Sequence, residues 1–186
     1  MAPLLDPDAE LMLRVQRGDA NAFGLLIQRH HARLLNLAWR YFGDRTAAED
    51  AVQETFLKVW QARERWRPDA PFQAWLVRIA TNVCLSVLRR RQPSSLDDGP
   101  DEPRARVDPR AVQPPEASAQ GELHRRVREA VAALPDRQRM AIVLNKFEGL
   151  DYEQVAGHLG LTVPATKSLL HRARMALKEV LEAYLQ

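Results

Sequence analysis

The chain has 186 residues, of which 46% are hydrophobic and 27% charged, a composition that belongs to soluble globular proteins and excludes disordered and membrane-embedded ones. No apolar run approaches the ~20 residues needed to span a bilayer, and Met1–Leu13 lacks the basic stretch and apolar segment of a signal peptide, so the chain is expected in the cytoplasm. Cys84 is the single cysteine, which excludes an internal disulfide and a thiolate zinc cluster; it sits among Val83, Leu85 and Val87 and reads as an inert, half-buried thiol. None of the five histidines has metal-ligand spacing to a carboxylate or cysteine, so neither a metal nor another cofactor is expected.

The pattern from the N-terminus is helical throughout. Asp6 or Asp8 caps a short first helix that ends near Gly18, and Asp19 caps a longer one over about 20–42, with Phe23, Leu26, Ile27, Leu34, Leu37, Ala38 and Tyr41 at near-helical intervals. Gly43-Asp44 breaks it. Thr46 is expected to cap the third helix, residues 47–65. Within it Val52, Phe56, Val59 and Trp60 face inward, leaving Asp50, Glu54, Leu57 and Gln61 in an opposite row flanked by Gln53. A solvated acidic face with one stray leucine and a docking surface for a basic helix both fit that row.

A loop, Trp66-Arg67-Pro68-Asp69-Ala70-Pro71, precedes the fourth helix, which runs to Arg89–Arg91. There Phe72, Trp75, Leu76, Ile79, Val83 and Val87 form a stripe at helical spacing, so Phe72 and Trp75 read as core more readily than as ligand contacts. Gln73, Arg78 and Asn82 point to other faces.

Residues 93–120 are rich in Pro, Ser and Asp, lack aromatics and periodicity, and read as an extended acidic linker between two small helical domains, 1–92 and 121–186. Fully stretched it reaches roughly 90 Å at about 3.3 Å per residue. The first block holds 14 Lys/Arg against 10 Asp/Glu, the linker 3 against 6, and the last block 10 against 8. Two basic blocks around an acidic connector suit two contacts with one polyanion. Four more helices are expected after the linker, over 117–133, 136–147, 152–159 and 163–184, with no strand anywhere: the fold class is all-α.

The last two of these helices have the grammar of a helix-turn-helix. Asp151 is an N-cap with Gln154 three positions on, Gly160 supplies a left-handed turn residue, Thr162 caps the second helix and Pro164 falls in its first turn. Val163, Thr166, Leu170, Ala173, Leu177 and Val180 are expected inside. Lys167, Ser168, His171 and Arg172 are left on other faces, where the start of such a helix meets base edges and later basic residues meet phosphates. A helical hairpin with a solvated basic face is the bland alternative.

These residues resemble the extracytoplasmic-function group of bacterial RNA polymerase sigma factors. Residues 134–139 (LP..R), 147–156 (FEGLDYEQVA) and 166–174 (TKSLLHRAR) are similar to the group's fourth conserved region; 18–23 (GDANAF), 48–60 (AEDAVQETFLKVW) and 72–84 (FQAWLVRIATNVC) are similar to its second. The resemblance covers both halves in order, with an unlike linker between them. It implies a subunit that binds core RNA polymerase through the β′ clamp helices and β flap, and that recognises promoter DNA. A separate anti-sigma protein is a further implied partner.

By resemblance, Asp50, Gln53, Glu54, Leu57, Lys58 and Gln61 dock on polymerase. Trp66, Arg67, Pro68, Asp69, Phe72, Gln73, Arg78 and Asn82 handle the −10 element and hold a flipped base. Ala165, Lys167, Ser168, His171, Arg172 and Arg174 read the −35 element. The connector is implied to follow the polymerase RNA exit path, although its composition also fits a plain tether. The chain departs from the group's common pattern at Pro164-Ala165-Thr166, where many members have Gly-Thr-Val, and at Leu169, often arginine. A two-domain helix-turn-helix regulator acting without replacing a sigma factor is the alternative. An enzyme is excluded by the lack of a phosphate loop, nucleophile motif or acid/base pair.

Overall fold

The structure is a computed structural model, and it describes residues 6–91 and 119–185. Among these residues there are eight α-helices and no strand: α1 Pro7–Gln16, α2 Ala20–Phe42, α3 Arg45–Ala62, α4 Phe72–Arg91, α5 Ala119–Ala133, α6 Asp136–Ile142, α7 Tyr152–Leu159 and α8 Val163–Leu185. A 3-10 turn, Arg63–Arg65, extends α3, and a π-helical turn, Val143–Phe147, continues α6, so the helix expected over 136–147 changes pitch halfway. The linker expected over 93–120 lies outside the described residues, except that α5 already begins at Ala119.

Local capping explains most boundaries. Asp6, not Asp8, caps α1 by accepting from the Asp8 amide, and Asp19 accepts from the amides of Asn21 and Ala22. Gly43 ends α2 in the left-handed region at φ 68°, a conformation that side chains other than glycine adopt at a cost. The chain is then ready to restart at once. Asp44 takes the N-cap role expected of Thr46, its carboxylate accepting from the Ala47 amide at 2.6 Å, because Thr46 already lies within the first turn of α3.

Helices α1–α4 pack around Met12, Val15, Leu26, Leu34, Leu37, Tyr41, Val59, Phe72, Leu76 and Val83, all fully or almost fully buried. Each such apolar side chain contributes about 1.5–3 kcal/mol by leaving water. Asp8 turns into this bundle instead of capping: it accepts from His30 Nε2 at 2.8 Å and pairs with exposed Arg29, so α1 is pinned to α2 by a buried carboxylate with two partners. Cys84 is buried, and loss of hydration pushes its thiol up to about 12, which keeps it protonated and unreactive.

Helices α5–α8 pack around Met140, Val143, Leu144, Val155, Leu170 and Ala173, and this core is continuous with the first. Polar and ring contacts join the halves beside that core. Arg33 donates to Glu148 at 2.8 Å, the Arg40 guanidinium lies 4.6 Å from the Phe147 ring centre, and buried Arg139 donates to the Tyr41 carbonyl at 3.0 Å. Arg139 also donates to the carbonyls of Ala132 and Leu134, so the arginine of the LP..R motif ties the α5–α6 turn to the end of α2. Burial lowers its pKa from the ordinary arginine value.

Candidate nucleic-acid and partner-docking surfaces

The loop between α3 and α4 leaves and re-enters the bundle through two buried rings. Trp66 is 2% exposed and Phe72 is 0% exposed, and their ring centres stand 6.3 Å apart, edge to face. Phe72 in turn meets Trp75 at 6.0 Å and His30 at 5.5 Å. Trp66 and Phe72 are thus packed into the bundle, as the helical stripe implied for Phe72, because burying a large ring is favoured over leaving it in water. Arg67, Pro68, Asp69, Ala70 and Pro71 between them are exposed.

The first turn of that loop is densely bonded. Gln16 Nε2 donates to the carbonyls of Arg63 at 2.8 Å and Trp66 at 2.9 Å. Arg67 Nη1 folds back onto the carbonyls of Glu64 and Trp66, and Arg63 stacks on the Trp60 ring at 4.6 Å while donating to its carbonyl. On α4, Arg78 and Asn82 are exposed one turn apart and Gln73 is half-buried nearer the loop. Helix α7 approaches this same helix: His158 titrates below the ordinary histidine value because it is buried and, to a smaller extent, because it feels the positive charge of Arg78.

The outer row of α3 stands open. Asp50, Gln53, Leu57, Lys58 and Gln61 are exposed, and Leu57 is 62% exposed. Glu54 is partly covered and bonded, to Arg90 of α4 at 2.9 Å and to Lys58 at 3.6 Å.

In the helix-turn-helix, Asp151 and Gln154 form a reciprocal capping box, and Gly160 takes φ 64° at the turn. Thr162 Oγ1 accepts from the Ala165 amide at 3.3 Å, and buried Thr166 donates to the Thr162 carbonyl. These bonds stiffen the first turn of α8, and along its first three turns Ala165, Lys167, Ser168, His171 and Arg172 are exposed. Leu169 is 5% exposed and packs into the core, so its difference from the common arginine replaces a polar side chain with a packing contact.

Arg174 does not share that outer face. Its Nη1 donates to the Tyr152 hydroxyl at 3.1 Å and its Nη2 to Asn145 Oδ1 at 2.9 Å, which ties α8 to α7 and to the π turn and holds the tyrosine hydroxyl below its ordinary pKa. Its guanidinium is thus engaged within the domain. Val180, expected inside, is 49% exposed, since periodicity marks a face of a helix without showing whether anything covers it. Among the described residues no group of three or more His, Cys, Asp or Glu could hold a metal ion, and no helix is long and apolar enough to cross a membrane.

Two family models match the chain: Sigma-70 region 2 over residues 26–93 and Sigma-70, region 4 over residues 124–177. The RNA polymerase sigma-H factor of Pseudomonas aeruginosa is 33% identical over 187 aligned positions, covering 97% of each chain. The ECF RNA polymerase sigma-E factor of Escherichia coli K12 is 35% identical, covering 91% of this chain and 92% of that one. Among solved structures, CnrH in complex with the cytosolic domain of CnrY is similar at TM-score 0.68 and 31% identity, covering 96% of this chain and 99% of that one. The sigma factor RpoE in complex with the anti-sigma factor NepR from Bartonella quintana is similar at TM-score 0.67 and 26% identity, covering 86% and 96%.

Proposed function

The chain belongs to the extracytoplasmic-function sigma factors, and from that membership we propose a division of labour among the three surfaces of its helices. As a sigma factor it directs promoter-specific transcription together with core RNA polymerase. Matches to regions 2 and 4 in that order leave nothing in favour of a regulator that acts without replacing a sigma factor. It contributes binding and DNA opening, while bond formation belongs to polymerase. The cytoplasm, where polymerase and chromosome meet, is its place of work.

Leu57 and its neighbours Asp50, Gln53, Lys58 and Gln61 dock on the β′ clamp helices; the observation that carries this is an apolar side chain left 62% exposed among polar ones. Helix α8 enters the major groove at the −35 element with Ala165, Lys167, Ser168 and His171 toward base edges and Arg172 toward phosphate. The β flap meets the same domain. The exposed loop 67–71, with Gln73, Arg78 and Asn82 beyond it, receives the unpaired −10 strand. Trp66 and Phe72 act from within, as anchors that hold the loop's ends, and Pro68 and Pro71 limit the freedom lost on capture. The complex of RpoE with the anti-sigma factor NepR supports a separate anti-sigma partner for this chain as well.

Run-off transcription with purified core polymerase tests the reading. Core supplemented with this chain should start at specific sites, and the chain alone should bind duplex promoter weakly. Tight binding of one operator by the isolated chain, with core unchanged, would overturn it.

A further inference from the structure

Helix α1 lies outside the residues matched by region 2, yet it holds the −10 loop at both ends. Its last residue, Gln16, spends both amide hydrogens of Nε2 on the carbonyls of Arg63 and Trp66, at 2.8 and 2.9 Å. Near its start, Asp8 fixes His30, whose ring lies 5.5 Å from Phe72 at the far end of the loop. Gln16 is half-buried and side-on to the chain reversal, so it is placed to set the direction in which the backbone leaves Trp66.

We propose that Gln16 is a positioning residue for promoter opening: by clamping the carbonyls of Arg63 and Trp66 it presets the exposed 67–71 segment as a receptor for one unpaired promoter base. The Trp66 carbonyl also accepts from Arg67, so the clamp orients the first side chain of the receptor as well as its backbone. Without the two donors these carbonyls turn to water and the loop samples more conformations, all but one of which must be given up on capture. The inference rests on the reading of this loop as the base-catching element. Two hydrogen bonds of ordinary net strength correspond to roughly a tenfold change in affinity.

The test uses holoenzyme assembled from core polymerase and the full chain, with wild type, Gln16→Met, which keeps the length but donates nothing, and Gln16→Glu, which keeps the shape but accepts. The probe is a fluorescent non-template strand carrying the −10 element of a promoter mapped by run-off, varied through all bases at each position. Gln16→Met should bind core like wild type and unfold at a similar temperature. It should bind the best strand about tenfold more weakly and lose base preference at a single position.

A loop variant, Pro68→Gly with Pro71→Gly, separates the two ways to fail. If it and the Gln16 variants all keep full base preference, the base-catching reading falls; if only the Gln16 variants keep it, that reading stands and the role of Gln16 falls. A uniform loss at every position, accompanied by weaker core binding or a lowered melting temperature in both Gln16 variants, would show a merely structural residue and overturn the proposal.

Discussion

Arg174 and Lys167 are two turns apart on one helix, equal in charge, and opposite in what surrounds them. Lys167 is exposed on the first turns of α8, whereas Arg174 is bonded to Tyr152 and Asn145. Arg174→Ala should lower stability by roughly 1–3 kcal/mol, since two partners lose their donor, and leave −35 base preference intact. Lys167→Ala should leave the melting temperature within error and weaken −35-dependent transcription, by about 1–3 kcal/mol if the lysine meets a base edge. Thermal unfolding beside run-off on native and scrambled −35 templates checks both, and an exchange of the two phenotypes would contradict the assignment. The same contrast governs Trp66 and Phe72, whose ring type suits stacking on a base while their packing buries them in the bundle.

Helix α3 carries its core and the row proposed to dock on polymerase on opposite faces, with Val52, Phe56 and Val59 buried and Leu57 turned outward. Because Leu57 contacts little within the chain, Leu57→Asp should change stability by no more than about 0.5 kcal/mol, the range of ordinary surface substitutions. Its effect should fall on core polymerase binding, which a charge at the centre of a docking surface weakens strongly by burying without a partner. Titration of fluorescent core against wild type and variant measures this. Unchanged affinity would place the docking surface elsewhere and leave Leu57 as a stray surface leucine.

At the scale of the molecule the two halves are in contact, yet the two promoter elements are not. Elements about 25 base pairs apart are separated by roughly 85 Å at about 3.4 Å per base pair, and α7 here packs close to α4. Reading both elements at once therefore requires the halves to part, with Arg33–Glu148, Arg40–Phe147 and Arg139–Tyr41 among the contacts to break, together with the apolar packing they share. The Glu148 side chain is only 4% exposed, so Arg33→Ala would leave its carboxylate buried and unpaired. That should weaken the closed arrangement by roughly 1–3 kcal/mol. Dyes attached through Thr46→Cys and Lys178→Cys should then show lower energy transfer in the free protein, together with faster association with core. Unchanged transfer would mean that the ion pair does not hold the halves.

Much of this was legible along the chain because it depends on near neighbours. The helices, the capping box at Asp151, the left-handed glycines and the outward row of α3 follow from periodicity and local hydrogen bonding, which act over a few residues. The order of the two motif sets was enough to carry the family resemblance. Residues whose surroundings come from distant segments were not legible. Gln16 meets carbonyls of residues 63 and 66, Arg139 meets the end of α2, Arg174 finds partners on two other elements, and Val180 is left half exposed where its spacing implied full cover. A side chain's burial and bonding depend on which helix arrives opposite it, and that is set only when the whole bundle closes and each ring, guanidinium and amide competes for the same space.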